Sequence, residues 1–332
     1  MIKKIISIKN AFVKAIRRTA RGIRMKRYAA KAAFSQNEMS NVLDNYIADF
    51  LNGKISRFSA VPKKTELVGE KIFWQYWHQG INDNTPSIIL KCLNSVERNK
   101  GEYRIILITA ENMSDYIEMP DFIWEKLNTG GFNFTKLSDL LRLYLLSAYG
   151  GVWLDATIYL TNQIDERLLQ KDFFAFQRSE TPPPDADIYI NFDPLYFTWN
   201  PTMQVRMLSS FMIAKPNNKI VGDLLSILLE YWKKELQTRH YFFLQICFNR
   251  MVLNNEWKDL NCDIAGDTDC HRLQIVMNDK FDYNLYTNII AKSNIHKLTT
   301  YFEKDLKRKR FLTGSFYDVI INGKIERVEA CH

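Results

Sequence analysis

Thr135-Lys136-Leu137-Ser138-Asp139-Leu140-Leu141-Arg142, continued through Tyr149 into Gly150-Gly151-Val152-Trp153-Leu154-Asp155, is the stretch on which the fold turns. Leu137, Leu140, Leu141, Leu145 and Ala148 recur at helical spacing, so Thr135 to Tyr149 is expected to form a helix with one apolar face. Gly150-Gly151 stops it, because glycine accepts the left-handed backbone that ends many helices. Val152-Trp153-Leu154 follows as a short buried strand. Asp155 then stands at that strand's carboxyl end, which is where open α/β sheets bind ligands.

Upstream, Lys71-Ile72-Phe73-Trp74-Gln75-Tyr76-Trp77 is a strand-like aromatic run ending at Gly80. Pro86 to Asn99 reads as a helix. Tyr103 to Thr109 is a continuous β-branched run, the pattern of a buried parallel strand. Strand, helix and strand at this spacing make a βαβ unit. Downstream, Phe173 to Phe176 and Ser210 to Ala214 read as strands, and Asn218 to Lys234 and Tyr241 to Leu253 as helices. Pro182-Pro183-Pro184 opens an irregular loop. There is no internal repeat. The expected division is residues 1–69, a basic helical arm and linker, and residues 70–332, one α/β domain.

The 332 residues are 46% hydrophobic and 25% charged, which places the chain among globular proteins and excludes intrinsic disorder. The five cysteines are scattered without a C-x-x-C, as expected of reduced thiols in a cytosolic compartment. No run is apolar enough to span a bilayer. The net charge of +8 is a local feature. Residues 1–31 hold eleven Lys and Arg and no acid; taking eleven from 45 leaves 34 basic against 37 acidic residues. A nucleic-acid enzyme spreads positive charge over its working face, so nucleic acid is not an expected partner. In the arm, Ile5, Ile8, Phe12, Ile16 and Ile23 form an apolar stripe between the cations. Such a helix suits an anionic membrane surface; a presequence-like helix or one docked on the body has the same pattern.

Asp139 and Arg142 are three apart and share one helix face. A carboxylate there accepts from ribose hydroxyls, and a guanidinium reaches sugar or phosphate. Asp155 can hold a divalent cation against a diphosphate. A surface ion pair followed by a Gly-Gly turn would leave the same pattern. Asp267-Thr268-Asp269-Cys270-His271 has metal-ligand residue types without the ordered spacing of a zinc or calcium site, and reads as a polar loop. Arg239-His240 is a candidate on the acceptor side, or a structural pair. Ser138 has no paired histidine motif, and neither glycine-rich nucleotide signature is present.

Lys136 to Asp155 resembles the hallmark block of retaining glycosyltransferases of GT-A fold, in particular the capsular polysaccharide synthesis proteins and the α-mannosyltransferases of family 32. Lys71 to Gly80 is similar to their first strand, where a tryptophan stacks the base; the matching position is Trp77. Ile295-His296-Lys297-Leu298-Thr299 is similar to the His-Lys-Leu-Thr near the end of the capsular proteins. The three blocks stand in the expected order. The resemblance implies a GT-A-like fold: a mostly parallel sheet flanked by helices, preceded here by the basic arm.

It also implies transfer of a hexose from a nucleoside diphosphate sugar, a UDP-sugar above all, to a hydroxyl of a growing capsular or other surface polysaccharide, with retention. Trp77, Asp139, Arg142, Gly151, Asp155, Thr157, His296 and Lys297 would bind the donor. Asp139, Arg142 and Asp155 would carry catalysis, and Asp155 would hold Mn²⁺ or Mg²⁺. In many such enzymes the metal motif is Asp-x-Asp; here it is Asp155-Ala156-Thr157, without the second carboxylate. His296 and Lys297 would face the diphosphate, or belong to a solvated basic tail. The acceptor implied is lipid-linked, on the cytoplasmic face of the cell membrane. The missing carboxylate also suits a non-catalytic scaffold, and a phosphosugar transferase handles the same donors.

Overall fold

The computed structural model describes residues 30–236, 240–300, 313–323 and 325. The basic arm expected over residues 1–31 therefore lies outside the described residues except for its last two. A long helix, α1, covers 30–51. It is followed by β1 (Ile72–Tyr76), α2 (Ser87–Arg98), β2 (Arg104–Ile108), α3 (Asp121–Asn128), α4 (Phe134–Ala148) and β3 (Gly151–Leu154). Next come β4 (Ile158–Leu160), α5 (Glu166–Leu169), β5 (Phe173–Gln177), α6 (Ala186–Phe192), β6 (Met207–Ala214) and α7 (Lys219–Lys234). The described chain closes with α8 (Phe243–Val252), α9 (Asn255–Lys258), α10 (Thr268–Val276), α11 (Tyr283–Lys292), β7 (Ile295–Lys297) and α12 (Phe316–Ile321).

The main sheet has the order β2-β1-β3-β6-β5. β1 pairs in parallel with both β2 and β3, whereas β6 runs antiparallel to β3 and β5. Four of five strands thus point one way, and the mixed α/β architecture with a mostly parallel, helix-flanked sheet is the one expected. The chain steps from β1 outward to β2 and then back across to β3. That reversal of strand order makes the carboxyl ends of β1 and β3 a topological switch point, where a crevice opens.

Strand alternation decides which face each side chain takes. Ile72, Trp74 and Tyr76 of β1 and Trp153 of β3 join one apolar cluster with α1, α4, α7 and α8. Phe73, Val152 and Leu154 face the other way, against β4 and β7. By the same alternation Asp155 falls on the α4 face. α4 itself is buried nearly all round, with twelve of its fifteen residues inaccessible, including Lys136, Asp139 and Arg142. Asn133 caps its start by accepting from the Lys136 amide at 3.0 Å. Gly150 (φ 75°) ends the helix turn; a β-carbon there would come within 2.6 Å of Pro216 Cδ.

β2 is the sheet edge and leaves Arg104 exposed, so it is less buried than its apolar run predicts. Residues 30–69 pack into the same core as the sheet. Met39, Leu43 and Ile47 of α1 join the main cluster. Gln36 accepts from the amides of Gln204 and Val205 at 2.7 and 3.2 Å and donates to the Leu195 carbonyl at 3.1 Å. No helix among the described residues is long and apolar enough to cross a membrane.

Candidate functional site

Asp155 lies one residue past β3, and the β1–β3 register sets Trp74 beside Trp153. Continuing that register brings Tyr76 level with Asp155, and Trp77 and His78 follow at the same sheet edge. A second, two-stranded sheet supplies the opposite wall. β4 and β7 pair antiparallel with Ile158 opposite Lys297, and the Leu298 amide donates to the Thr157 carbonyl at 2.9 Å. A segment 140 residues further along the chain is thereby held against the Asp155–Thr157 turn.

Five alternating charges meet there. Lys136 approaches Asp139 at 3.6 Å, and Asp139 pairs with Arg142 at 3.1 Å. Arg142 reaches Asp155 at 3.2 Å, and Lys297 approaches the same carboxylate at 3.3 Å. The Trp153 indole donates to Asp155 Oδ1 at 2.8 Å, and Lys297 Nζ also donates to the Thr157 hydroxyl. The Arg142 guanidinium lies over the Trp153 ring at 5.3 Å and donates to Ser138 Oγ at 3.2 Å. The Asp139–Arg142 pair is therefore buried, not a surface ion pair.

Burial alone would raise the Asp155 carboxyl. Arg142, Lys297, the Trp153 indole and the Ser210 hydroxyl overcome it and hold the group at about 2. Asp139 is shifted the other way: burial raises it, and Arg142 and Lys136 only partly offset that. Burial likewise lowers Lys136 despite Asp139.

Two cavities flank the Arg142–Asp155 pair. One, of about 250 Å³, is lined by Trp77, His78, Phe134, Ser138 and Thr157. His78 stacks on Phe134 with ring centroids 3.7 Å apart and accepts from or donates to the Tyr76 hydroxyl at 3.0 Å. The other, of about 240 Å³, is lined by Asp139, Ser209, Gln245, Lys297 and an aromatic wall of Phe192, Tyr196 and Tyr241. Arg142, Asp155 and Thr135 border both. A chain of fixed charge at the junction of a flat aromatic slot and a polar–aromatic chamber suits a ligand with a planar ring, an anionic middle and a hydroxylated end.

A family profile described as capsular polysaccharide synthesis protein matches residues 24–320. The chain belongs to the capsular polysaccharide synthesis protein family. Relatives of this family member are named glycosyltransferases. It is 26% identical over 175 residues to the O-glycosyltransferase braB of Annulohypoxylon truncatum, covering 50% of this chain and 38% of that one. It is 26% identical over 174 residues to the glycosyltransferase afumC of Aspergillus fumigatus, covering 50% and 39%. It is 28% identical over 120 residues to the O-glycosyltransferase PaGT of Phomopsis amygdali, covering 34% and 29%. The matched stretch thus spans well under half of those relatives' own lengths. The solved PaToxG glycosyltransferase aligns with 88% of this chain and 98% of its own, at 12% identity and a TM-score of 0.35.

Of the residues singled out from sequence in this capsular-family chain, the fold brings together Trp77, Asp139, Arg142, Asp155, Thr157 and Lys297. It sets two apart. Gly151 starts β3, at the strand end opposite Asp155. Glycine is required there because a β-carbon would lie 2.6 Å from the Ile72 carbonyl oxygen, with φ at 98°. His296 is inaccessible on the face of β7 away from Lys297, with Nε2 3.4 Å from the Thr161 hydroxyl. Burial pushes its imidazole down to about 3, so it is neutral at physiological pH. Residues 295–297 are a paired strand, not part of a solvated tail.

Of the other candidates, Asp267 pairs with Arg178, and His271 bonds Gln274 at 3.0 Å and lines the second cavity. No three His, Cys, Asp or Glu side chains among the described residues come together to hold a metal. Arg239 lies outside the described residues. Sequence reading missed His78, Phe134 and Lys136. The signals were present: His78 directly follows Trp77, and Lys136 precedes Asp139 by the same three-residue step that separates Asp139 from Arg142.

Proposed function

We propose that the chain transfers a hexose from a nucleoside diphosphate sugar to a hydroxyl of a growing surface polysaccharide. The observation that carries this reading is the Arg142–Asp155–Lys297 cluster at the junction of two cavities. In this reading the base stacks in the slot of Trp77, His78 and Phe134, and the hexose occupies the chamber beside Asp139. The diphosphate lies across Arg142 and Lys297. The bond between the anomeric carbon and the diphosphate oxygen breaks, and its electron pair stays on that oxygen. The acceptor oxygen bonds the same carbon, and its proton ends on the released nucleoside diphosphate. Cations fixed where negative charge grows lower the barrier without reorganising. Asp155, held ionised, keeps both cations aimed.

Family membership supports a polysaccharide acceptor, and the family's resemblance to retaining enzymes supports retention. The fungal relatives' names support transfer to oxygen. The acceptor is lipid-linked in this reading, and residues 1–31 bring the protein to the anionic inner face of the cell membrane. A donor screen tests the core of the proposal. Thermal shift with UDP-glucose, UDP-galactose, UDP-N-acetylglucosamine and GDP-mannose should rank one donor above the rest, and that donor should be hydrolysed slowly to the nucleoside diphosphate. Release of the monophosphate would identify a phosphosugar transferase. No binding and no turnover with any donor would mark a scaffold. Removing residues 1–31 should abolish binding to anionic liposomes; unchanged binding would refute the membrane role.

A further inference from the structure

Lys297 stands where an ion bridging Asp155 and Thr157 would stand. Its ammonium meets Asp155 Oδ2 at 3.3 Å and donates to Thr157 Oγ1. The other carboxylate oxygen already accepts from Arg142 at 3.2 Å and Trp153 at 2.8 Å. Mg²⁺ takes a near-octahedral oxygen shell and Ca²⁺ six or more oxygens. This site offers one carboxylate engaged on both oxygens, one hydroxyl and two cations. That donor set does not fit a divalent ion.

We propose that the Lys297 ammonium, together with the Arg142 guanidinium, is the fixed positive charge that receives the leaving diphosphate, so that donor binding and transfer require no divalent cation. The inference rests on the transferase reading above. Three observations support it. First, Lys297 is delivered by the fold: β7 is paired to β4, and Leu298 is bonded to Thr157. Second, an ammonium carries three donors. Two are directed at Asp155 and Thr157, which leaves one for a phosphate oxygen from the cavity that Lys297 lines. Third, Lys136, Asp139, Arg142, Asp155 and Lys297 sum to one net positive charge beside the space for an anionic diphosphate. Lys297 takes no part in the proton transfer, and the acceptor proton leaves on the diphosphate. The missing second carboxylate is then a consistent feature of the site, because an ammonium replaces the ion that carboxylate would hold.

The test is calorimetric titration of the full chain with UDP-glucose, UDP-galactose, UDP-N-acetylglucosamine and GDP-mannose, in EDTA and then in Mn²⁺. The wild type should bind one of the four with an affinity that changes less than about twofold between buffers. Lys297→Ala should weaken it about thirtyfold in EDTA, the scale of a lost charge-assisted contact. Lys297→Arg, which keeps the charge, should recover most of that loss. Thr157→Asp, which restores the paired carboxylates, should make affinity respond to Mn²⁺. Wild-type binding that appears only with Mn²⁺ would overturn this inference and leave the transferase reading intact. So would Lys297→Ala binding like wild type in EDTA. No binding of any of the four donors in either buffer, by protein that melts cooperatively, would overturn both.

Discussion

Two buried guanidinium–carboxylate clusters, one lining the second cavity and one packed on the Tyr196 and Phe197 rings that line it, differ in what their donors face. Arg178 gives Nε and Nη2 to Asp267, and Nη1 to the carbonyls of Tyr196 and Val205. It lies over the rings of Tyr196 and Phe197 at 4.5 and 4.7 Å, and both charged side chains are at most 2% exposed. Every direction around it is protein. Arg142 shares its pair with a carboxylate that is 21% exposed, its Nε has no partner, and its cluster opens on two cavities. The first cluster is closed and holds β5 to the start of α10. The second is open, with Arg142 and Asp155 bordering both cavities. Burial of an ion pair by itself therefore says little about function; a pair whose residues line a cavity says more.

The contrast predicts opposite phenotypes. Arg178→Met strands the inaccessible Asp267 carboxylate, and removing one partner of a buried pair costs about 3–5 kcal/mol. Urea unfolding should show that loss, while the surviving folded protein keeps its donor affinity. A variant as stable as wild type that had lost donor binding would reverse the assignment of the two clusters.

Asp155→Asn should act on turnover. Removing one preorganised electrostatic group from an active site lowers turnover by about 10² to 10³, and the isosteric amide still accepts from Trp153, so the fold should persist. The same variant has an acid signature. The Asp155 carboxyl titrates at about 2 in the fold against an ordinary 3.8. Its stabilisation is complete above the unfolded value and is lost as pH falls from about 5 to about 2, amounting to about 2 kcal/mol. Asp139, shifted upward, contributes with the opposite sign. Stability measured across that range should therefore fall less steeply on acidification in Asp155→Asn than in wild type.

What the sequence made legible was local. Helical spacing put Asp139 and Arg142 on one side of α4, and a glycine pair followed by a three-residue apolar run put Asp155 at a strand end. What stayed hidden depends on partners distant in sequence. Arg178 and Asp267 are 89 residues apart with no periodicity linking them. β7 is three residues long in a basic stretch, and it exists because β4 pairs with it. The aromatic wall of Phe192 and Tyr241 comes from a short helix and a loop, where neither helical nor strand periodicity operates. Gly151 was legible as a glycine that matters, but the reason is the Ile72 carbonyl, a contact across the sheet.

A smaller effect tests the slot. Trp77→Ala removes the aromatic wall beside His78 and Phe134. Stacking of a base on an aromatic is worth about 1–3 kcal/mol, so nucleoside diphosphate affinity should fall about tenfold to a hundredfold. Melting should change little, because Trp77 is only partly buried at the edge of its cluster. Equal loss of affinity for the nucleoside and for the nucleoside diphosphate would place the base at Trp77. Loss confined to the diphosphate would move the base elsewhere.

The smallest effect is the sharpest for strand geometry. His296 and Lys297 are neighbours on β7, and successive side chains on a strand point to opposite faces. Lys297 meets Asp155; His296 lies against Tyr159 and Thr161, fully buried. Its imidazole is already neutral above about pH 3, so it brings no charge to a phosphate. His296→Gln keeps a hydrogen-bonding group near Thr161 and should shift donor affinity by less than about twofold, roughly 0.4 kcal/mol. Lys297→Ala, one residue away, should shift it far more. Comparable losses in the two variants would mean that β7 is rotated or displaced when donor binds, since a paired strand cannot present both side chains to one ligand.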